Sequence, residues 1–167
     1  MFRIGNGIDV HRFDDADEAN DTQSEHGFVL GGVRIAYERN LIAHSDGDVL
    51  THALMDALLG ALALGDIGTH FPDSDDRYCD VSSLVLLDTV MEKVRDSGWQ
   101  LGNADITVVA QAPKISPHVP AIRQVLAERM QVNIDLLSVK ATTTESLGFT
   151  GRGEGIAVYA TALLSRN

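Results

Sequence analysis

Residues 45–64 read SDGDVLTHALMDALLGALAL, and this stretch decides the fold. From Val49 to Leu64 it is almost continuously alanine and leucine, with no proline, which fits a buried helix. Ser45, Asp46 and Asp48 supply cap-type side chains before it, and Gly65 ends it. Beyond it, Asp66 to Arg77 reads as a polar loop. Val81 to Arg95 regains helical spacing, with Leu84, Leu87, Val90, Met91 and Val94 on one stripe and Gly98 closing the helix. Ile106 to Ala110 is strand-like, Pro113 and Pro117 punctuate a turn, and Ala121 to Met130 predicts a third helix. Leu136 to Thr142 and Gly155 to Leu164 read as strands flanking the glycine-rich stretch Gly148 to Gly155. Toward the N-terminus, the β-like run Phe28 to Ile35 follows the acidic stretch Asp14 to His26, which reads as a solvated loop. Ile4 to Phe13, carrying Gly5 and Gly7, reads as a further strand. Strands and helices that do not alternate regularly favour an α+β fold, a mixed sheet with helices packed on one face.

The chain has 167 residues, enough for one domain with its own core and too few for two of ordinary size, so residues 1–167 are expected to form a single domain. A net charge of −11 argues against nucleic acid as a partner, because such binding needs a basic surface. If the substrate is a phosphate ester, the same charge repels it, and cations must be concentrated at the site. No apolar run is long enough to span a bilayer and no signal-peptide pattern opens the chain, so the expected location is the cytoplasm, with no membrane partner. Cys79 is the only cysteine, so any metal must be held by His, Asp or Glu.

Asp9 and His11 lie two apart on the first strand, where alternation points both side chains to one face and lets them share a ligand. His52 sits one turn into the apolar helix, where an unpartnered imidazole is costly. Asp48 and Asp56, four residues to either side, are candidates to hold its second nitrogen. Three protein donors leave zinc an open position, so Asp9, His11 and His52 together point to catalysis rather than scaffolding. Lys140-Ala141-Thr142-Thr143-Thr144-Glu145 then runs into Gly148, Gly151, Arg152 and Gly153. Its hydroxyls and glycine amides suit phosphate oxygens, and Glu145 is a hard ligand suited to magnesium.

The stretch Ser45 to Ala61 resembles the signature of the 2-C-methyl-D-erythritol 2,4-cyclodiphosphate synthases. Flanking motifs agree in order along nearly the whole chain: GIDVHRF at 7–13, GDIGTHFPD at 65–73, AQAPKISPH at 110–118 and KATTTESLGFTGRGEG at 140–155. The resemblance implies a homotrimer with active sites at subunit interfaces and a cytidine diphosphate substrate, 4-diphosphocytidyl-2-C-methyl-D-erythritol 2-phosphate. That substrate is closed to the cyclodiphosphate with release of CMP, in the non-mevalonate isoprenoid pathway. It further implies Zn2+, or another divalent cation, on Asp9, His11 and His52, and Mg2+ or Mn2+ at the substrate diphosphate, held by Glu145. His44 and Thr143 would steady the transition state. Substrate would contact Ser45, Asp66, Gly68, Phe71, Asp73 and Asp75. The cytosine loop would include Ala110, Ala112, Pro113, Lys114 and Ser116, and the diphosphate would meet Thr142, Thr144, Glu145, Phe149 and Arg152. Asn6 stands where several relatives carry His, and Tyr159 where some carry Glu. The competing readings are a zinc phosphohydrolase and a non-catalytic nucleotide-binding module.

Overall fold

The computed structural model describes residues 1–14, 26–43, 45–72, 75–78 and 81–166. Its elements run β1 (Phe2–Arg12), β2 (Gly27–Leu30), β3 (Val33–Ala36), α1 (Val49–Ala61), α2 (Ile67–His70), α3 (Ser83–Asp96), β4 (Gln100–Val109), α4 (Val119–Met130), β5 (Leu137–Thr142), α5 (Gly148–Gly151) and β6 (Gly155–Ser165), with short 3-10 turns between some of them. β1, β6, β4 and β5 form a sheet in that order. β6 is antiparallel to both neighbours, and β4 and β5 are parallel, so the sheet is mixed.

The helices lie on one face of this sheet, α1 on β1 and β6, α3 on β4, and α4 on β5. Alternate residues supply that face: Leu101, Ala104, Ile106 and Val108 from β4, and Ile156, Val158, Ala160, Ala162 and Leu164 from β6, all buried. α1 is enclosed almost all round, with Leu50, Leu54, Leu58 and Leu59 fully buried, each contributing about 1.5–3 kcal/mol by leaving water. β1 offers α1 no apolar side chain at its centre. It offers Gly5 instead, where a Cβ would stand 1.9 Å from the Ala57 carbonyl oxygen, so helix and strand backbones touch. Among the described residues the opposite face of the sheet is uncovered, and Phe2, Ile4, Ile8, Val10 and Tyr159 are exposed on it.

The α+β expectation matches this architecture, and two details differ. Phe28 to Ile35 is a hairpin, not one strand: Gly31 and Gly32, with φ of 57° and 74°, turn the chain so that β2 pairs with β3 in a separate sheet. The apolar helix stops at Ala61 rather than Leu64, because Ala63 turns left-handed (φ 59°) and the Leu64 amide bonds back to the Leu59 carbonyl. Most of the acidic stretch expected as a loop, residues 15–25, lies outside the described residues, as does Cys79. No helix among the described residues is long and apolar enough to cross a membrane.

Candidate metal and phosphate site

Asp9 and His11 project from β1 toward α1, and His52 meets them from the first turn of that helix. Asp9 Oδ2 lies 3.1 Å from both His11 Nε2 and His52 Nδ1, and the candidate ligand atoms of the three residues all fall within 4.8 Å of one another. Each ligand is turned inward by a bond on its far side. His11 Nδ1–H donates to the Ile42 carbonyl at 3.1 Å, Asp9 Oδ1 accepts the Val10 amide at 2.9 Å, and His52 Nε2 lies 2.8 Å from Ser83 Oγ. One carboxylate and two imidazoles in this convergence fit a divalent cation and leave it a free side. Burial alone would raise the Asp9 carboxyl, but hydrogen bonds from His11 and His52 outweigh it and hold the group well below the usual carboxylate range. Burial would likewise lower His11, and the bond to Asp9 reverses the sign and raises it.

Neither Asp48 nor Asp56 holds the second nitrogen of His52, contrary to the expectation from helical spacing. Asp48 is the N-cap of α1, fully buried, and accepts the amides of Gly31 (2.7 Å), Gly32 (2.8 Å) and Thr51 (3.0 Å) and the Thr51 hydroxyl (2.7 Å). It thereby ties the hairpin turn to the helix that carries His52. Asp56 accepts the Ile67 amide at 2.8 Å and so anchors α2. Ser83, the partner that His52 does use, is 31 residues away on α3, and no spacing rule connects them.

A cleft of about 560 Å3 opens over the ligand group, lined by Ser45, Gly68 and Phe71 among the expected substrate residues and by Ile42, Ile67, Tyr78 and Leu86 beyond them. Asp66 stands at the N-cap of α2, accepting the Thr69 amide and hydroxyl at 2.9 and 2.8 Å, and it does not line the cleft. The Asp75 carboxylate is taken by Arg77 at 2.6 Å. His44 and Asp73 lie outside the described residues.

The remaining expected residues gather elsewhere. Ala110, Ala112, Pro113, Lys114 and Ser116 follow β4, Thr142 ends the parallel strand β5 and Thr143 to Glu145 follow it, and the Ala110 amide donates to the Thr142 carbonyl at 3.0 Å. In the second loop Thr143 Oγ1 donates to Glu145 Oε1 at 2.7 Å, and Glu145 holds the left-handed region at φ 52°, a conformation costly for a side chain with Cβ. Thr144 Oγ1 is bonded to the Leu147 carbonyl at 2.5 Å, Phe149 is exposed, and Arg152 is paired with Glu154 at 2.6 Å. One row of the sheet, Val10 to Ala157 to Val109 to Thr142, shows how this group stands to the first. Both lie at the same end of the sheet but on its two edge strands, about 14 Å apart at ordinary strand spacing. They also use different faces: Asp9 and His11 point to α1, whereas Thr142 alternates with buried Leu137 and Val139 and points away from the helices. None of residues 110–116 or 142–152 lines the cleft over the ligand group.

The YgbB family profile matches residues 2–165. The chain is 60% identical over 163 residues to a protein of Azotobacter vinelandii named 2-C-methyl-D-erythritol 2,4-cyclodiphosphate synthase, covering 97% of this chain and 98% of that one. Among solved structures it resembles the bifunctional IspDF of Campylobacter jejuni, at a TM-score of 0.90 and 42% identity, covering 100% of this chain but 43% of that one. It also resembles a CDP complex of IspF from Plasmodium falciparum, at a TM-score of 0.83 and 34% identity, covering 99% and 97%. With the match running from β1 through β6 and the Asp-His-His group built at its centre, the chain belongs to the YgbB family, the 2-C-methyl-D-erythritol 2,4-cyclodiphosphate synthases.

Proposed function

We propose that the protein closes 4-diphosphocytidyl-2-C-methyl-D-erythritol 2-phosphate to 2-C-methyl-D-erythritol 2,4-cyclodiphosphate and CMP, as a cytoplasmic step of the non-mevalonate route to isoprenoid precursors. The observation that carries this reading is the convergence of Asp9, His11 and His52 beneath an open cleft, in a chain alike to named synthases over nearly its whole length. In the reaction an oxygen of the 2-phosphate attacks the β-phosphorus, and the bond from that phosphorus to the bridging oxygen of CMP breaks, the electron pair leaving with CMP. The nucleophile is already an anion, so the protein need supply no general base. Asp9, His11 and His52 would hold zinc and Glu145 magnesium, and these divalent cations, when bound, would supply the positive charge that two anionic phosphates need to meet in line.

The chain's own residues bind and align. His44, Ser45, Asp66, Gly68, Phe71, Asp73 and Asp75 serve the methylerythritol phosphate end, the 110–116 loop the cytosine, and Thr142 to Glu145 with Phe149 and Arg152 the diphosphate, with His44 and Thr143 steadying the transition state. Separation of these two groups across the sheet supports a site completed by a second chain. The uncovered apolar face (Phe2, 71% exposed; Ile4, 68%; Ile8, 58%) supports association through that face, as a homotrimer.

The test is incubation of the purified protein with this substrate and magnesium, followed by phosphorus NMR, with His52→Ala as control. Cyclic diphosphate and CMP from the parent, lost in the control, support the reading. An open-chain phosphate product would make the protein a zinc phosphohydrolase, and no product from folded, metal-loaded protein overturns catalysis altogether.

A further inference from the structure

A hydrogen-bond chain behind the ligand group has a fixed polarity. Asp46 accepts twice from Ser83, at Oδ2 from the amide (2.7 Å) and at Oδ1 from the hydroxyl. A carboxylate can only accept, so the Ser83 hydroxyl proton points at Asp46. Ser83 Oγ therefore meets His52 Nε2, at 2.8 Å, with its lone pairs, and the proton of that contact belongs to His52. With the proton on Nε2, the lone pair of Nδ1 is left for a cation; Nδ1 faces Asp9 Oδ2 at 3.1 Å, and without an ion that carboxylate competes to hold the proton on Nδ1 instead. Ser45 Oγ, at 3.5 Å from Nε2, is too distant to compete. Ser83 is fully buried and is the first residue of α3, whose N-cap, Ser82, makes no side-chain cap bond, so Asp46 also takes the place of the cap.

We propose that Asp46, acting through Ser83, is the positioning residue that sets the tautomer of His52 and so presents Nδ1 as a metal ligand. This rests on the metal reading of the Asp9 group. It also identifies what the chain gains from the turn before α1: the same segment that caps that helix through Asp48 reaches across to α3 through Asp46.

Asp46→Asn tests the polarity without changing the shape. The amide keeps the Ser83 N–H by placing its oxygen there, and its NH2 then faces the hydroxyl and reverses it, so that Ser83 donates to Nε2 and the proton moves to Nδ1. Ser83→Ala is the second variant, removing the acceptor and leaving the Nδ1–H to Asp9. Thermal unfolding first establishes that both are folded. Imidazole nitrogen spectra of metal-free protein at about pH 9, where histidine is neutral, should show a larger Nε2–H share for His52 in the parent, where Ser83 competes with Asp9 for the proton, than in either variant, where Nδ1–H takes over. Zinc affinity, measured by competition with a chelating dye, should fall about 10- to 100-fold in both. A tautomer share unchanged in the variants, or an affinity within twofold of the parent, overturns the proposal. Failure of His52→Ala to weaken zinc binding would instead overturn the metal reading, and the nitrogen spectra distinguish the two because they need no ion.

Discussion

Gly7 of β1 faces Ala53 of α1 with no room for a side chain: a Cβ on Gly7 would lie 1.9 Å from the Ala53 carbonyl oxygen and 2.8 Å from the Ala57 amide nitrogen. This contact sets the distance between the strand that carries Asp9 and His11 and the helix that carries His52. Backbone atoms cannot move aside as a flexible side chain can, so the strand itself must shift.

Gly7→Ala should therefore destabilise the protein by at least about 1–3 kcal/mol, the usual cost of overpacking, and weaken zinc binding in parallel. Gly60→Ala is the control, since the nearest atom to its Cβ is 3.8 Å away and the position is an exposed helix site. It should be neutral or stabilising by up to about 1 kcal/mol. Urea unfolding of the two variants checks both signs.

Asp48→Ala leaves the buried amides of Gly31 and Thr51, the half-buried amide of Gly32 and the Thr51 hydroxyl without their acceptor. The expected loss is about 3 kcal/mol or more, from several unsatisfied donors together. Asp48→Asn retains part of the acceptor set and should lose less. Chemical denaturation of both variants at one pH decides the ranking.

Asp56 gives a pH dependence with a defined sign. Burial raises its carboxyl above the ordinary 3.8, against the lowering effect of the Ile67 amide. A raised acid binds its proton more tightly when folded, so its contribution to stability is greatest at low pH and declines as pH rises through the folded value. Asp56→Asn keeps an acceptor for Ile67 and has no charge to bury. The variant should gain on the parent as pH rises from about 4 to 7, read as the difference in melting temperature. A gap that stays constant across that range would refute the assignment.

The proposed assembly is tested by Ile8→Glu. Ile8 is exposed beside Tyr159 on the uncovered face, and a charge there leaves the helix-side core untouched. Sedimentation should show a shift from trimer to monomer, with the circular dichroism of the fold retained and cyclisation lost.

The ligand group was legible because it rests on local rules. Alternation puts Asp9 and His11 on one face, and an apolar helix with a single early histidine marks His52. The hairpin at Gly31 was masked by the apolar run of buried Phe28, Leu30 and Ile35, although the Gly31-Gly32 pair is itself a two-residue turn signal that would have broken the run into two strands. The partner of His52 escaped for another reason. Spacing by four favours Asp48 and Asp56, but both carboxylates are occupied by backbone amides, and the nitrogen goes to a serine that only tertiary packing brings near. The family motifs named the loops at 110–116 and 142–152, yet nothing in their order along the chain reveals that they stand across the sheet from the ligand group.

That separation bears on heredity as much as on chemistry. In the proposed trimer each centre draws its ligand group from one chain and its nucleotide loops from the next, so His52→Ala and Glu145→Ala are lesions in different halves of a shared object. A cell carrying one allele of each would assemble mixed trimers, and in some of these an intact ligand group would face an intact loop. Two inactive alleles would then complement within one gene product, which two lesions confined to a single chain's own pocket could not do.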